Sequence, residues 1–143
     1  MDNPWREIEA SWQGEGIFIG QNPRGGSVQM GNREGNPGIS PMELLLVGVA
    51  GCTGMDVASI LTKKRQPLVD LKIRVRGRMI EEFPRVFDRI EIEYLLWGEG
   101  IEPSAVEQAI HLSEDKYCSA SAMLRASAEV DWTYRILKPG EIV

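Results

Sequence analysis

Two stretches of the chain alternate cleanly between apolar and polar positions. In Val69–Ile80, Leu71, Ile73 and Val75 fall on one side and Lys72, Arg74 and Arg76 on the other. In Asp88–Trp97, Ile90, Ile92, Tyr94 and Leu96 oppose Glu91 and Glu93. A period of two is that of a half-buried strand. Paired antiparallel, the two would set a basic outer face beside an acidic one, most simply a solvated sheet face. Ala128, Val130, Trp132, Tyr134 and Ile136 alternate as a closing strand. Short strands are expected within Arg6–Trp12, Gly16–Gly20 and Ser27–Met30, with the turn-rich QNPRGG before the last and a polar loop over Gly31–Gly38.

Between these groups the period changes. Ser40-Pro41-Met42-Glu43 combines an N-cap serine, proline at the first helical position and glutamate three residues after the cap. The spacing predicts a helix from there to about Arg65, stopped by Pro67, with Lys63, Lys64 and Arg65 in its last turn. A second helix is predicted over Ser104–Lys116, with Ser104 and Glu107 as a capping box and Val106, Ala109, Ile110 and Ser113 on one face. Tyr117–Leu124 fits a further short helix, and the tail KPGEIV reads as frayed. Strands at both ends and in the middle, with capped helices between, predict an α+β fold with a mostly antiparallel sheet, in one domain over residues 1–143.

Composition narrows this picture without redirecting it. The chain has 143 residues, 43% of them hydrophobic and 26% charged, and a net charge of −5. That balance argues against a nucleic-acid or anionic-membrane surface. The segment MDNPWREIEASW has neither a basic start nor an apolar run that would mark a signal peptide. The apolar run Met42–Met55 is shorter than a bilayer span and fits a buried helix. A cytoplasmic protein is the expectation, and there Cys52 and Cys118 would not form a permanent staple.

The first predicted helix raises a question of its own. GVAGCTGMDVASIL carries glycines at 48, 51 and 54, each costing about 1 kcal/mol against alanine. One reading is tight helix packing with Cys52 as a small core residue. The other is room around the thiol for a substrate or a second thiol. Cys118 sits among small residues in KYCSASAML; in the first turn of a short helix, backbone N–H groups would favour its thiolate. It too reads equally as a packed cysteine. His111 and two cysteines without ligand spacing make a weak zinc site, and there is no hydrolytic triad, Walker loop or GxGxxG.

SPMELLLVGVAGCTGMDVASILTKKRQ together with HLSEDKYCSASAML resembles the OsmC/Ohr superfamily, and PMELLL, GCTGMDV and KYCSASAML are most similar to its YhfA-like branch. The resemblance implies an OsmC-like fold: an intertwined homodimer, its sheets packed on two long central helices, with the active sites at the subunit interface. It implies a thiol peroxidase that reduces organic hydroperoxides in oxidative stress defence and needs no cofactor. Cys52 matches the peroxidatic cysteine and Cys118 the resolving one. The first would become a sulfenic acid, the second would close a disulfide, and an external dithiol would restore both.

The sequence departs from the family pattern at the thiol's activators. Where the superfamily has a glutamate ten positions before the peroxidatic cysteine, this chain has Met42. Glu43 is adjacent, but its place in the capping box accounts for it. The activating arginine is missing from WQGEGIF, which offers Glu15; Arg24 and Arg33 are nearby without a matching motif. Asp56 follows Cys52 by four and would raise its pKa unless a cation pairs with it; Lys116 is the nearest cation in sequence to either thiol. Glu43 and Asp56 are therefore the supporting candidates. The loss of the glutamate also motivates a second reading, a non-catalytic dimer that binds a small apolar or thiol-containing ligand.

Overall fold

A computed structural model describes residues 3–143. The chain divides into two compact units, one ending at Leu44 and the other running from Leu45 to Val143. In the first unit, β1 (Glu9–Trp12), β2 (Phe18–Gln21) and β3 (Ser27–Met30) form an antiparallel sheet in sequence order. QNPRGG makes the β2–β3 turn because the Asn22 side chain accepts from the backbone N–H groups of Arg24 (3.0 Å) and Gly26 (2.9 Å).

Helix α1 (Pro41–Lys63) begins at the predicted capping box. Ser40 Oγ accepts from the Glu43 N–H at 3.1 Å, and the Glu43 carboxylate accepts from the Ser40 N–H at 2.9 Å. The helix stops two residues before the expected end. Arg65 takes a left-handed conformation at φ 56°, and the N–H groups of Arg65 and Gln66 close onto the carbonyls of Thr62 and Leu61. Arg65 thus lies past the last turn, not within it.

In the second unit, β4 (Asp70–Met79), β5 (Phe87–Trp97) and β6 (Glu129–Leu137) form a sheet in that order. β4 and β5 are antiparallel, with Arg74 opposite Glu93 and Arg76 opposite Glu91, so the basic and acidic faces meet as the alternation predicted. Arg78 bonds both oxygens of Asp88, at 2.8 and 3.1 Å. The β5–β6 pair is parallel. Alternation specifies which face a residue occupies but is silent on strand direction, and parallel neighbours need a long crossover. Here α2 (Pro103–Leu112), a π-helical turn (Ser113–Tyr117) and α3 (Ser119–Leu124) supply it.

The second helix starts earlier than its expected capping box. Glu102 is the N-cap, without a side-chain cap, and Pro103 takes the first helical position. The core gathers Ile90, Ile92, Tyr94 and Leu96 of β5, the stripe Val49, Thr53, Val57 and Leu61 of α1, and Val106, Ala109 and Ile110 of α2, each at most 1% exposed, while Leu95 clusters with Trp97 and Leu137. By length and hydropathy alone α1 would suffice to cross a membrane. Its buried i, i+4 stripe is instead the packing face of a core helix.

Candidate active site

The stripe that buries α1 places Cys52 beside Thr53, half-buried, and the π turn delivers Cys118 to the same place. Cys118 is 3% exposed, and the Cys52 thiol is a close enough neighbour to act on it, adding to the rise of its pKa. Neither is in a disulfide. The two cysteines, 66 positions apart, are thus brought together by the fold.

Cys118 is the N-cap of α3, one position before the first turn in which it was expected. Its sulfur accepts from the Ser121 N–H at 3.4 Å, and its S–H donates to Ser121 Oγ at 3.3 Å. Burial nevertheless pushes the thiol above its ordinary pKa. Hydrogen bonding with Ser121 pulls the other way, while Cys52 and the Glu114 carboxylate add to the rise. The resting state of Cys118 is the protonated thiol, so the thiolate expected from backbone N–H groups loses to burial.

The Ser121 hydroxyl passes its own proton toward Glu114 Oε2, 3.1 Å away. Glu114 is 2% exposed, and Arg125 clamps it twice: one guanidinium nitrogen lies 2.9 Å from Oε1 and the other 2.6 Å from the Glu114 carbonyl. A buried carboxylate needs such a partner. Lys116 lies elsewhere, its ammonium 5.2 Å above the Tyr117 ring. Among the described residues, Arg125 is the cation joined to Cys118 through Glu114 and Ser121.

A second chain of hydrogen bonds runs under Cys52. Thr53 Oγ1 is 2.8 Å from the Tyr94 hydroxyl and 2.8 Å from Ser113 Oγ, and Ser113 donates to Asp56 Oδ2 at 2.9 Å. Each hydroxyl has one proton, so the order is Tyr94 to Thr53 to Ser113 to Asp56. Asp56 has its carboxylate oriented by a buried serine; among the described residues this hydroxyl, not a cation, is its bonded partner. Burial pushes the Tyr94 phenol up, which keeps it a donor at neutral pH.

Of the other sequence candidates, Glu43 is held in the capping box, where its bonds with Ser40 lower its pKa. Arg33 donates to the Gln13 carbonyl within the first unit. His111 is exposed, 3.3 Å from Asp115, with its ring against Trp132 at 5.1 Å. Sequence reasoning missed Thr53, Tyr94, Glu114, Ser121 and Arg125. Glu114 had a signal: it follows Ile110 by four and so continues the apolar stripe of α2. An acid in such a stripe calls for a buried partner. Arg125, eleven positions on, had none.

A long helix seated on a sheet, two adjacent free thiols from distant segments and a satisfied polar shell define an α+β dithiol protein. Comparison with known proteins agrees with that class and makes it specific. Residues 33–133 match the OsmC-like protein family. Protein YhfA of Escherichia coli K12 is 35% identical over 124 residues, covering 86% of this chain and 92% of the relative. A hypothetical protein from Aquifex aeolicus superposes with a TM-score of 0.81 at 37% identity, over 94% of this chain and 98% of that one. The organic hydroperoxide resistance protein OsmC of Legionella pneumophila superposes with a TM-score of 0.66, over 93% of this chain and 98% of that one; at 14% identity this likeness speaks to the fold alone. The chain belongs to the OsmC-like protein family.

Proposed function

We propose that the protein is a cysteine-based peroxidase that reduces organic hydroperoxides, with Cys52 as the attacking thiol and Cys118 as the resolving one. The observation that carries this reading is that the fold makes neighbours of two free thiols from distant segments, a half-buried Cys52 and a buried Cys118. Cys52 thiolate attacks the distal peroxide oxygen, the O–O bond breaks, and the alcohol leaves with a proton. Cys118 then displaces hydroxide from the Cys52 sulfenic acid, giving a disulfide and water. An external dithiol returns both to thiols. The substrate class follows from the resemblance of the sequence around both cysteines to the OsmC/Ohr superfamily, within the family that the chain belongs to.

The working unit in this reading is a cytoplasmic homodimer. The side of α1 turned away from the sheet exposes Leu45, Val47 and Met55 at 44%, 48% and 75%, and nothing lies within 4 Å of a Cβ built on Gly48 or Gly51. An apolar helix face with two bare glycines suits the close approach of a second copy. Burial there would offset the helix cost of the glycines.

The test is intact mass of the reduced protein after one equivalent of cumene hydroperoxide, with peptide mapping. Loss of two hydrogens, mapped to Cys52–Cys118 and reversed by a dithiol, is expected. Cys52→Ser should abolish turnover, and Cys118→Ser should allow one sulfenylation without recycling. Two unchanged thiols in the wild type would overturn the reading and leave the fold as a ligand-binding module.

A further inference from the structure

We propose that Glu114 is the proton acceptor for Cys118 when that thiol attacks oxidised Cys52, that Ser121 is the hydroxyl through which the proton moves, and that Arg125 is the positioning residue that holds Glu114 in place. The inference rests on the reading of Cys118 as the resolving thiol, and it assigns work to three residues that the peroxidase chemistry itself leaves unused.

The geometry gives the path a direction. The Cys118 S–H points to Ser121 Oγ at 3.3 Å, and the Ser121 O–H points to Glu114 Oε2 at 3.1 Å. Oε1 of the same carboxylate is bound by Arg125 at 2.9 Å, so the free oxygen is the one that faces Ser121. Ser121 is fully buried and Glu114 nearly so, leaving no room for bulk water to take the proton in their place. A buried ion pair is weak evidence of stabilisation by itself. A buried carboxylate aimed through a serine at a thiol has a chemical use.

The step balances. As the Cys118 sulfur attacks the Cys52 sulfur, its proton passes to Ser121 Oγ and the serine proton passes to Glu114. The S–S bond forms, the S–O bond of the sulfenic acid breaks, the departing hydroxide takes up a proton from solvent, and Glu114 afterwards releases to solvent the proton it took from Cys118. The sum is one disulfide and one water, with the sulfenic acid as oxidant. A thiol that stays protonated until this moment keeps the high intrinsic nucleophilicity that a permanently ionised, low-pKa thiol gives up. The charged and titratable groups around Cys118 are Glu114 of the π turn, Cys52 of α1, Tyr94 of β5 and Arg125 after α3.

The experiment removes the peroxide from the question. Cys52 is converted to its mixed disulfide with 5-thio-2-nitrobenzoate, and release of the yellow thiolate reports attack by Cys118; a Cys118→Ser control fixes the background. Glu114→Gln keeps the shape and removes the base, and Ser121→Ala removes the relay, with Ser121→Thr restoring a hydroxyl. The expected result is release slowed at least tenfold at pH 7 in Glu114→Gln and Ser121→Ala, a slowing that shrinks as the pH rises toward 10 and hydroxide substitutes for the base, and recovery in Ser121→Thr. Release at the wild-type rate with the wild-type pH profile in Glu114→Gln, or in Ser121→Ala if the first variant does not fold, overturns the proposal. Because no hydroperoxide is used, inert thiols toward cumene hydroperoxide would defeat the peroxidase reading and leave this result standing.

Discussion

At the scale of the residue, the site is a set of buried polar groups whose partners are complete: among the described residues, every buried side-chain nitrogen and oxygen has one. That completeness makes single deletions costly. Thr53→Val keeps the shape and removes the hydroxyl between Tyr94 and Ser113. The expected loss is about 1–3 kcal/mol, the usual cost of orphaned buried groups, read as a lower urea midpoint with an unchanged slope. Arg125→Ala should cost more, about 3–5 kcal/mol, because it leaves the Glu114 carboxylate buried and unpaired.

The thiols add a pH dependence whose sign is fixed by burial. Desolvation raises the Cys118 pKa in the folded state. An unfolded thiol ionises near about pH 8.5, so the contribution of Cys118 is complete below that value. It is lost as the pH rises through the higher folded pKa. Urea midpoints measured between pH 7 and pH 10 should fall, and Cys118→Ala should flatten part of that fall. An identical slope in the variant would show that the thiol is not the group responsible.

At the scale of the element, what could be read from the sequence was what local chemistry decides alone. Ser40, Pro41 and Glu43 announced the start of α1 because a reciprocal cap needs only those residues. Ser40→Ala should cost about 1 kcal/mol in unfolding free energy. Ser104 and Glu107 carried the same pattern and formed no cap, because Pro103 drew the helix start to itself. The basic and acidic faces of β4 and β5 were legible, whereas the register that sets Arg74 opposite Glu93 and Arg76 opposite Glu91 came only with the structure. The direction of β6 was not, since the alternation of Val130, Trp132 and Tyr134 is the same read in either direction. The two cysteines were visible as chemistry. Their hydrogen-bonded surroundings were not, because Tyr94, Ser121 and Arg125 meet Thr53, Cys118 and Glu114 only through tertiary packing. The π turn is part of that packing: it carries both Ser113 and Glu114, one for each hydrogen-bonded chain.

At the scale of the whole molecule, the proposal of a dimer makes the glycines of α1 a quantitative test. A Cβ on Gly54 would meet Ile73 at 3.4 Å within the chain, whereas Gly48 and Gly51 face open space. For an isolated chain, Gly51→Ala should therefore stabilise by about 0.5–1 kcal/mol through helix propensity alone. For a dimer closed on this face, Gly51→Leu should split it. Light scattering should then show a mass near twice that of the chain for the wild type and a single-chain mass for the variant. A wild-type protein that stays monomeric at high concentration would sink the proposal.

The unequal exposure of the two sulfurs also gives any later exchange a polarity. A disulfide between half-buried Cys52 and buried Cys118 offers an incoming reductant one sulfur more openly than the other. Attack there expels Cys118 into its pocket beside Ser121, and the reductant is held for a moment on Cys52. A reductant stripped of its second thiol would remain at Cys52, which turns this half-open cysteine into bait: the cell's own electron donor could be recovered from it as a covalent adduct.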